Sequence, residues 1–242
     1  MQLLALVPAS TSIPVHQPRS CFPNFRPLDL DRFGPKPVID LPEQVQSALA
    51  TLLPLLACGE EAAALAFDGL ATTVGGELAG EVLRAIAADE RVHDAMLRQL
   101  VEAQPPAAGR PDILRAARRF HICLGRGGPA FHLARIAALD AAVCTVLSRL
   151  IGPENPLAAD RWIAATLTHI RRDEARHVRV SRNLALGMAG HAASALRDVA
   201  AESRFALADV LLLGADAFET LGVDPKALDR DVRRLPRTLL RA

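Results

Sequence analysis

Apolar residues recur along most of this chain at the three- and four-residue intervals of an amphipathic helix. In four of the stripes a charged residue stands where the pattern calls for an apolar one. The first stripe, Leu53, Leu56, Ala57, Ala63, Ala64, Phe67 and Ala71, has Glu60 in its middle. Gly75-Gly76 ends that helix, and a second follows at once, with Ala79, Val82, Leu83, Ile86, Leu97 and Leu100 on the face that also carries Glu90 and His93. So short a connection makes these two helices antiparallel neighbours. A third stripe, Leu133, Ile136, Ala137, Val143, Cys144 and Leu147, predicts a helix over 130–150 with Asp140 at its centre. The fourth, Ile163, Leu167, Ile170, Val178 and Leu184, surrounds Glu174 and His177.

Other segments break the periodicity. Residues 1–39 carry Pro8, Pro14, Pro18, Pro23, Pro27, Pro35 and Pro37, which forbids a long helix there and favours extended or turn backbone. This proline-rich N-terminal arm is either a partly disordered tail or a strap, laid on the helices or on a neighbouring subunit and anchored by Phe22, Phe25 and Phe33. Asp40 and Glu43 form a capping-box pattern that opens the first helix, with Pro42 tolerated in its first turn. Pro54 either kinks that helix or marks its start. From Pro105 to Pro129, prolines and glycines flank one short helical stretch, Ile113 to Leu124, giving a long crossover. After residue 191 a helix over 193–213 and a last one after Pro225 complete the chain, with no visible chemistry.

Composition narrows the fold. The chain has 242 residues, half of them hydrophobic, enough for one substantial core, so residues 40–242 are expected to form a single domain. Ala and Leu dominate and Tyr is absent, which suits close-packed helices better than a sheet. An all-α protein is expected. A net charge of +1 leaves no basic face for nucleic acid. Cys21, Cys58, Cys123 and Cys144 form no C-x-x-C pair and read as free thiols of a reducing compartment. The apolar Met1 to Val7 lacks the positive start and cleavage site of a signal peptide, and no uninterrupted apolar run reaches membrane-spanning length. A soluble, cytoplasmic protein without a membrane partner is therefore expected.

The interrupting charges repeat. Asp89-Glu90-Arg91-Val92-His93 and Asp173-Glu174-Ala175-Arg176-His177 share the form Asp-Glu-x-x-His. At about 100° per residue, a Glu and a His three apart lie one turn apart on one helical face, where both can reach a single ion. Each unit is preceded by a helix with one central carboxylate, Glu60 in the first half and Asp140 in the second. Four carboxylates buried without counter-charge would be heavily penalised, and two divalent cations would remove the penalty. Hard oxygen donors with one imidazole per ion suit iron or manganese, and six protein ligands leave positions open for oxygen and substrate. The predicted ligands are Glu60, Glu90, His93, Asp140, Glu174 and His177. Glu61 points about 100° away from Glu60 and reads as solvated. His169 reads as a surface His or one supporting the site, His121 and His132 have no partner pattern, and Trp162 reads as packing.

Over roughly residues 41–190 the chain resembles the ferritin-like di-iron carboxylate superfamily in its four central helices and their ligand pattern. The Asp-Glu-x-x-His form looks closest to the bacterial multicomponent monooxygenase hydroxylases and the ribonucleotide reductase small subunit, and more distantly it is similar to arylamine N-oxygenases. The resemblance implies a ferritin-like four-helix bundle with a long crossover, an extended N-terminal arm and extra C-terminal helices. It also implies that Asp89 holds His177 and Asp173 holds His93 from behind the metals. One departure is Asp140, where the family usually has Glu. The implied activity is that of a di-iron oxygenase or oxidase: two Fe ions, with Mn as the alternative, activate dioxygen to oxidise a small organic substrate. An electron-donor protein and a homodimer would go with it. Without tyrosine a tyrosyl-radical subunit is excluded, and without a C-x-x-C pair a rubrerythrin is disfavoured. A ferroxidase that handles iron alone and a metal-free interaction bundle are the competing functions.

Overall fold

A computed structural model describes residues 20–104 and 110–241. The expectations for Met1 to Val7, for the first prolines of the arm and for Pro105-Pro106 and Gly109 fall outside the described residues. The described residues are all-helical, with eight α-helices and no strand. They are α1 (Glu43–Thr73), α2 (Glu77–Glu102), α3 (Pro111–Leu124), α4 (Pro129–Leu150), α5 (Arg161–Ala189), α6 (Ala193–Leu212), α7 (Ala215–Thr220) and α8 (Pro225–Arg233).

α1 packs along α2 and α4 along α5, while α6 lies against α4, and α3 bridges α1 and α6. Gly76 makes the α1–α2 turn possible with φ of 95°, a conformation that side chains resist. Gly80 then lets the helices close: a Cβ there would sit 3.0 Å from the Ala71 carbonyl oxygen. The expected capping box is absent, because Pro42 is the N-cap and makes no side-chain cap bond; Gln46 instead donates to the Leu41 carbonyl at 2.7 Å. Nor does α1 start at Pro54, which lies within one continuous helix. α5 is properly capped by Asp160, whose Oδ1 accepts from the backbone N–H groups of Trp162 and Ile163 at 2.9 and 3.0 Å. The six-residue α7 was not visible in the sequence pattern.

Within the arm, residues 20–39 form a strap on the helices. Phe25 is buried and Phe22 packs against the core. The strap is fixed by polar contacts that overturn the solvated reading of Glu61: this side chain is buried and accepts from Ser20 Oγ at 2.6 Å and Phe22 N at 3.1 Å. Arg98, paired with the buried Asp94, donates to the Leu28 carbonyl at 2.8 Å. Trp162, expected to pack, is exposed, with the Arg161 guanidinium over its ring.

The apolar core falls into two clusters. One gathers Leu49, Leu53, Leu97, Leu147, Ile163 and Phe218, and the other gathers Phe67, Leu83, Leu133, Ala134, Ala185 and Leu196. Along each of α1, α2, α4 and α5 the stripe crosses from one cluster to the other at the charged residue singled out above. α1 and α4 are long and apolar enough, by length and composition, to cross a membrane, but more than half of each apolar stretch is buried inside the fold, as in core helices.

Candidate metal centre

Six side chains from four helices occupy the layer between the two core clusters. Glu60 comes from α1, Glu90 and His93 from α2, Asp140 from α4, and Glu174 and His177 from α5, and all six are buried. Their helical registers explain the convergence. The same spacing that continues each apolar stripe turns these residues inward, so packing of the stripes forces the charges together.

Ligating atoms of Glu60, Glu90, His93 and Glu174 lie within 4.8 Å of one another, a group that could hold a metal ion. His93 Nδ1 is 3.4 Å from Glu60 Oε2, 3.3 Å from Glu90 Oε2 and 3.5 Å from Glu174 Oε1. His177 Nδ1 lies 3.0 Å from Glu90 Oε1 and 3.8 Å from Glu174 Oε1. Glu90 and Glu174 thus face both imidazoles, whose centroids are 5.9 Å apart, whereas Glu60 faces His93. Asp140 is not in the 4.8 Å group, but it borders the same cavity as Glu60, Glu90 and Glu174.

The rings are oriented from behind. His93 Nε2 is 3.2 Å from Asp173 Oδ2 and His177 Nε2 is 3.4 Å from Asp89 Oδ2, each contact crossing between α2 and α5. With Nε2 engaged there, Nδ1 of each ring is directed at the carboxylates. Both aspartates also pair with an arginine at the surface: Arg176 donates to Asp89 Oδ2 at 2.8 Å and approaches Asp173 Oδ1 at 3.1 Å. Arg176 occupies the variable position of the second Asp-Glu-x-x-His unit, where spacing alone gives it no role. His169 Nε2 lies 3.4 Å from Asp173 Oδ2, so this His backs the aspartate from the surface.

Five buried ligating atoms in the layer have no hydrogen-bond partner: both oxygens of Glu90, Nδ1 of His93, Oδ2 of Asp140 and Nδ1 of His177. Buried polar atoms are ordinarily satisfied, and five of the eight exceptions among the described residues sit together here, the others being Asp94 Oδ1, Gln104 Oε1 and Ser181 Oγ. Burial pushes Glu60 and Asp140 well above the usual carboxylate range, with neighbouring carboxylates adding to the shift. Burial opposes charge on Glu90 as well, but the facing His177 and His93 outweigh it and bring the group down to about 2. Both histidines are raised in spite of burial, His93 by Glu174, Glu60 and Glu90, and His177 to about 11 by Glu174 and Glu90. A cluster of this kind prefers cations, whether protons or metals. The donor set of carboxylate oxygens with one imidazole nitrogen in each half fits iron or manganese.

A cavity of about 110 Å3 opens beside the centre. Glu60, Glu90, Asp140 and Glu174 contribute to its lining, and most of its remaining wall is apolar, including Leu55, Phe120, Ile136, Val143, Leu207 and Leu211. His93 and His177 are not among its lining residues. Two residues without a pattern in the sequence do border it: His121 at the end of α3 and His132 at the start of α4. The missed signal was register, since His132 lies at helical spacing from Ile136, Leu139 and Val143, and His121 from Ala117 and Leu124. No protein-family model matches the chain, and neither does any curated protein.

Proposed function

We propose that the chain is a di-iron oxidoreductase built on a ferritin-like bundle, which uses dioxygen to oxidise or oxygenate a small organic substrate. The observation that carries the reading is the convergence of Glu60, Glu90, His93, Asp140, Glu174 and His177 in one buried layer, where five ligating atoms make no well-formed hydrogen bond and carboxylates meet imidazoles only as charge partners. A metal centre needs ligating atoms that no hydrogen bond ties up.

On this reading Glu60, Glu90, His93, Asp140, Glu174 and His177 would hold the ions, with Glu60 on the His93 side and Glu90 and Glu174 facing both imidazoles. When bound, two ferrous ions supply the electrons and Lewis acidity for reducing dioxygen, and an electron-donor protein restores them. The protein's own part is to orient and to exclude water. Asp173 and Asp89 keep Nδ1 of each imidazole turned inward, Arg176 fixes both aspartates, and the apolar wall keeps solvent off the carboxylates on the substrate side. The apolar character of that wall favours an organic substrate over iron handling, because a route for hydrated cations needs polar lining.

Elemental analysis of protein expressed with added iron tests the assignment. The expected result is about two ions per chain, with loss of metal in His93→Ala. Metal-free wild-type protein, or full metal in the variant, would remove the reading. Assembly into a shell that takes up far more iron would turn it into iron handling.

A further inference from the structure

The cavity holds an asymmetry that the metal centre does not use. Among the described residues, its polar side chains apart from the four carboxylates are the half-buried His121 and His132, which flank the short α3–α4 turn and come from different helices. His121 stands over α1 at Gly59, where a Cβ would lie 3.9 Å from its Nε2. His132 packs by the turn, with Cε1 3.8 Å from where a Cβ of Gly125 would be. Burial holds both rings down to about 4, with Arg135 adding to the effect at His132, so both are neutral at physiological pH. A neutral imidazole offers one donor and one acceptor.

We propose that His121 and His132 select the substrate, a compact apolar molecule of about one ring that carries an uncharged hydroxyl. The inference rests on the proposed function and names the substrate class of that site. Size follows from the cavity, whose roughly 110 Å3 is of the order of an apolar cavity that accommodates benzene. Charge follows from the lining: among the described residues no Lys or Arg borders the cavity, so a carboxylate there would lack a counter-ion. An ammonium group would compete with the metals for the carboxylates. A hydroxyl both donates and accepts, matching what two neutral imidazoles present, and sites built to bond a hydroxyl reject analogues without one.

The test compares two probes of nearly equal shape, 4-methylphenol and 1,4-dimethylbenzene, on iron-loaded full-length protein. Dissociation constants are measured by calorimetry on wild type and on His121→Phe/His132→Leu, with metal content determined on the same samples. The ratio of the two constants should shift toward dimethylbenzene by about tenfold or more in the double variant, the loss of one to two hydrogen bonds. Because the variant could fail to fold, a second measurement uses wild type alone: imidazole 15N resonances of His121 and His132 should move with methylphenol and stay with dimethylbenzene. An unchanged ratio, resonances that do not move, or no binding of either probe overturns the proposal. Full metal with unmoved resonances rejects the recognition pair but not the di-iron centre, whereas a metal-free chain whose preference depends on both rings rejects the centre and upholds the pair.

Discussion

Arg204 and Glu90 are both charged side chains with 1% exposure, and they have opposite fates. Arg204, on α6, spends its guanidinium on carbonyls: Nε donates to Val232 at 2.5 Å, Nη1 to Ala138 at 3.0 Å and Nη2 to Asp231 at 3.1 Å. It thereby ties the C-terminal end of α8 to α4. Burial lowers the group to about 10, and at neutral pH it remains charged. Both Glu90 oxygens, by contrast, make no well-formed hydrogen bond and meet only the imidazoles as charge partners, His177 Nδ1 at 3.0 Å and His93 Nδ1 at 3.3 Å. Satisfied within the chain, a buried charge is a structural fastener; unsatisfied beside others of its kind, it is a place prepared for something from outside.

The contrast is sharpest in paired variants. Glu90→Ala removes the carboxylate that faces both histidines, and stoichiometric iron should disappear from the purified protein. Arg204→Met should do the reverse. Leaving three carbonyls without their donor costs about 3 kcal/mol in urea unfolding, with iron per folded chain unchanged. If Arg204→Met lost metal and Glu90→Ala kept it, the distinction between the clusters would collapse.

Smaller effects should separate the centre from its supports. Asp173→Asn weakens the hold on His93 and should lower iron affinity about 10- to 100-fold in competition with a chelator. Asp89→Asn should do less, since its contact to His177 is longer and Asp89 is more exposed, 34% against 23% for Asp173. A larger loss from Asp89 than from Asp173 would contradict the geometry.

The smallest signal is a slope. His93 and His177 are raised in the folded protein, as are Glu60 and Asp140. The metal-free fold then binds more protons than the unfolded chain above the ordinary values of about 4 for carboxylates and about 6.5 for His. Its stability should fall as pH rises across neutrality, toward the His177 value of about 11. Glu90, lowered to about 2, contributes fully at neutral pH and does not alter that slope. Metal displaces the extra protons, so iron affinity should rise over the same range. Thermal melts from pH 6 to 9 should therefore decline for metal-free protein and hold or climb for iron-loaded protein; parallel curves would contradict the assignment.

How far the sequence reached depends on how local each cause was. The helices of Glu60, Glu90, Asp140 and Glu174 were legible because apolar stripes at 3.6-residue spacing leave a charged interruption in plain view, and because Asp-Glu-x-x-His occurs twice. Capping was less so: Asp40 has the right residue type but Pro42 takes the N-cap, while Asp160 caps α5 without having been singled out. Glu61 was misread because helical angle places it off the Glu60 face, and only the strap, a segment distant in sequence, covers that side and satisfies it.

By itself, then, the sequence determined the all-α class seen in the described residues and the register that turns six potential ligands inward, since both follow from periodicity within single helices. Tertiary structure alone decided that Arg176 braces two aspartates, that Arg204 fastens α8 to α4, and that His121 and His132 border the cavity beside the carboxylates. Those outcomes depend on which helix faces which and at what height. That information resides in the packing of side chains from distant segments, which no local pattern encodes.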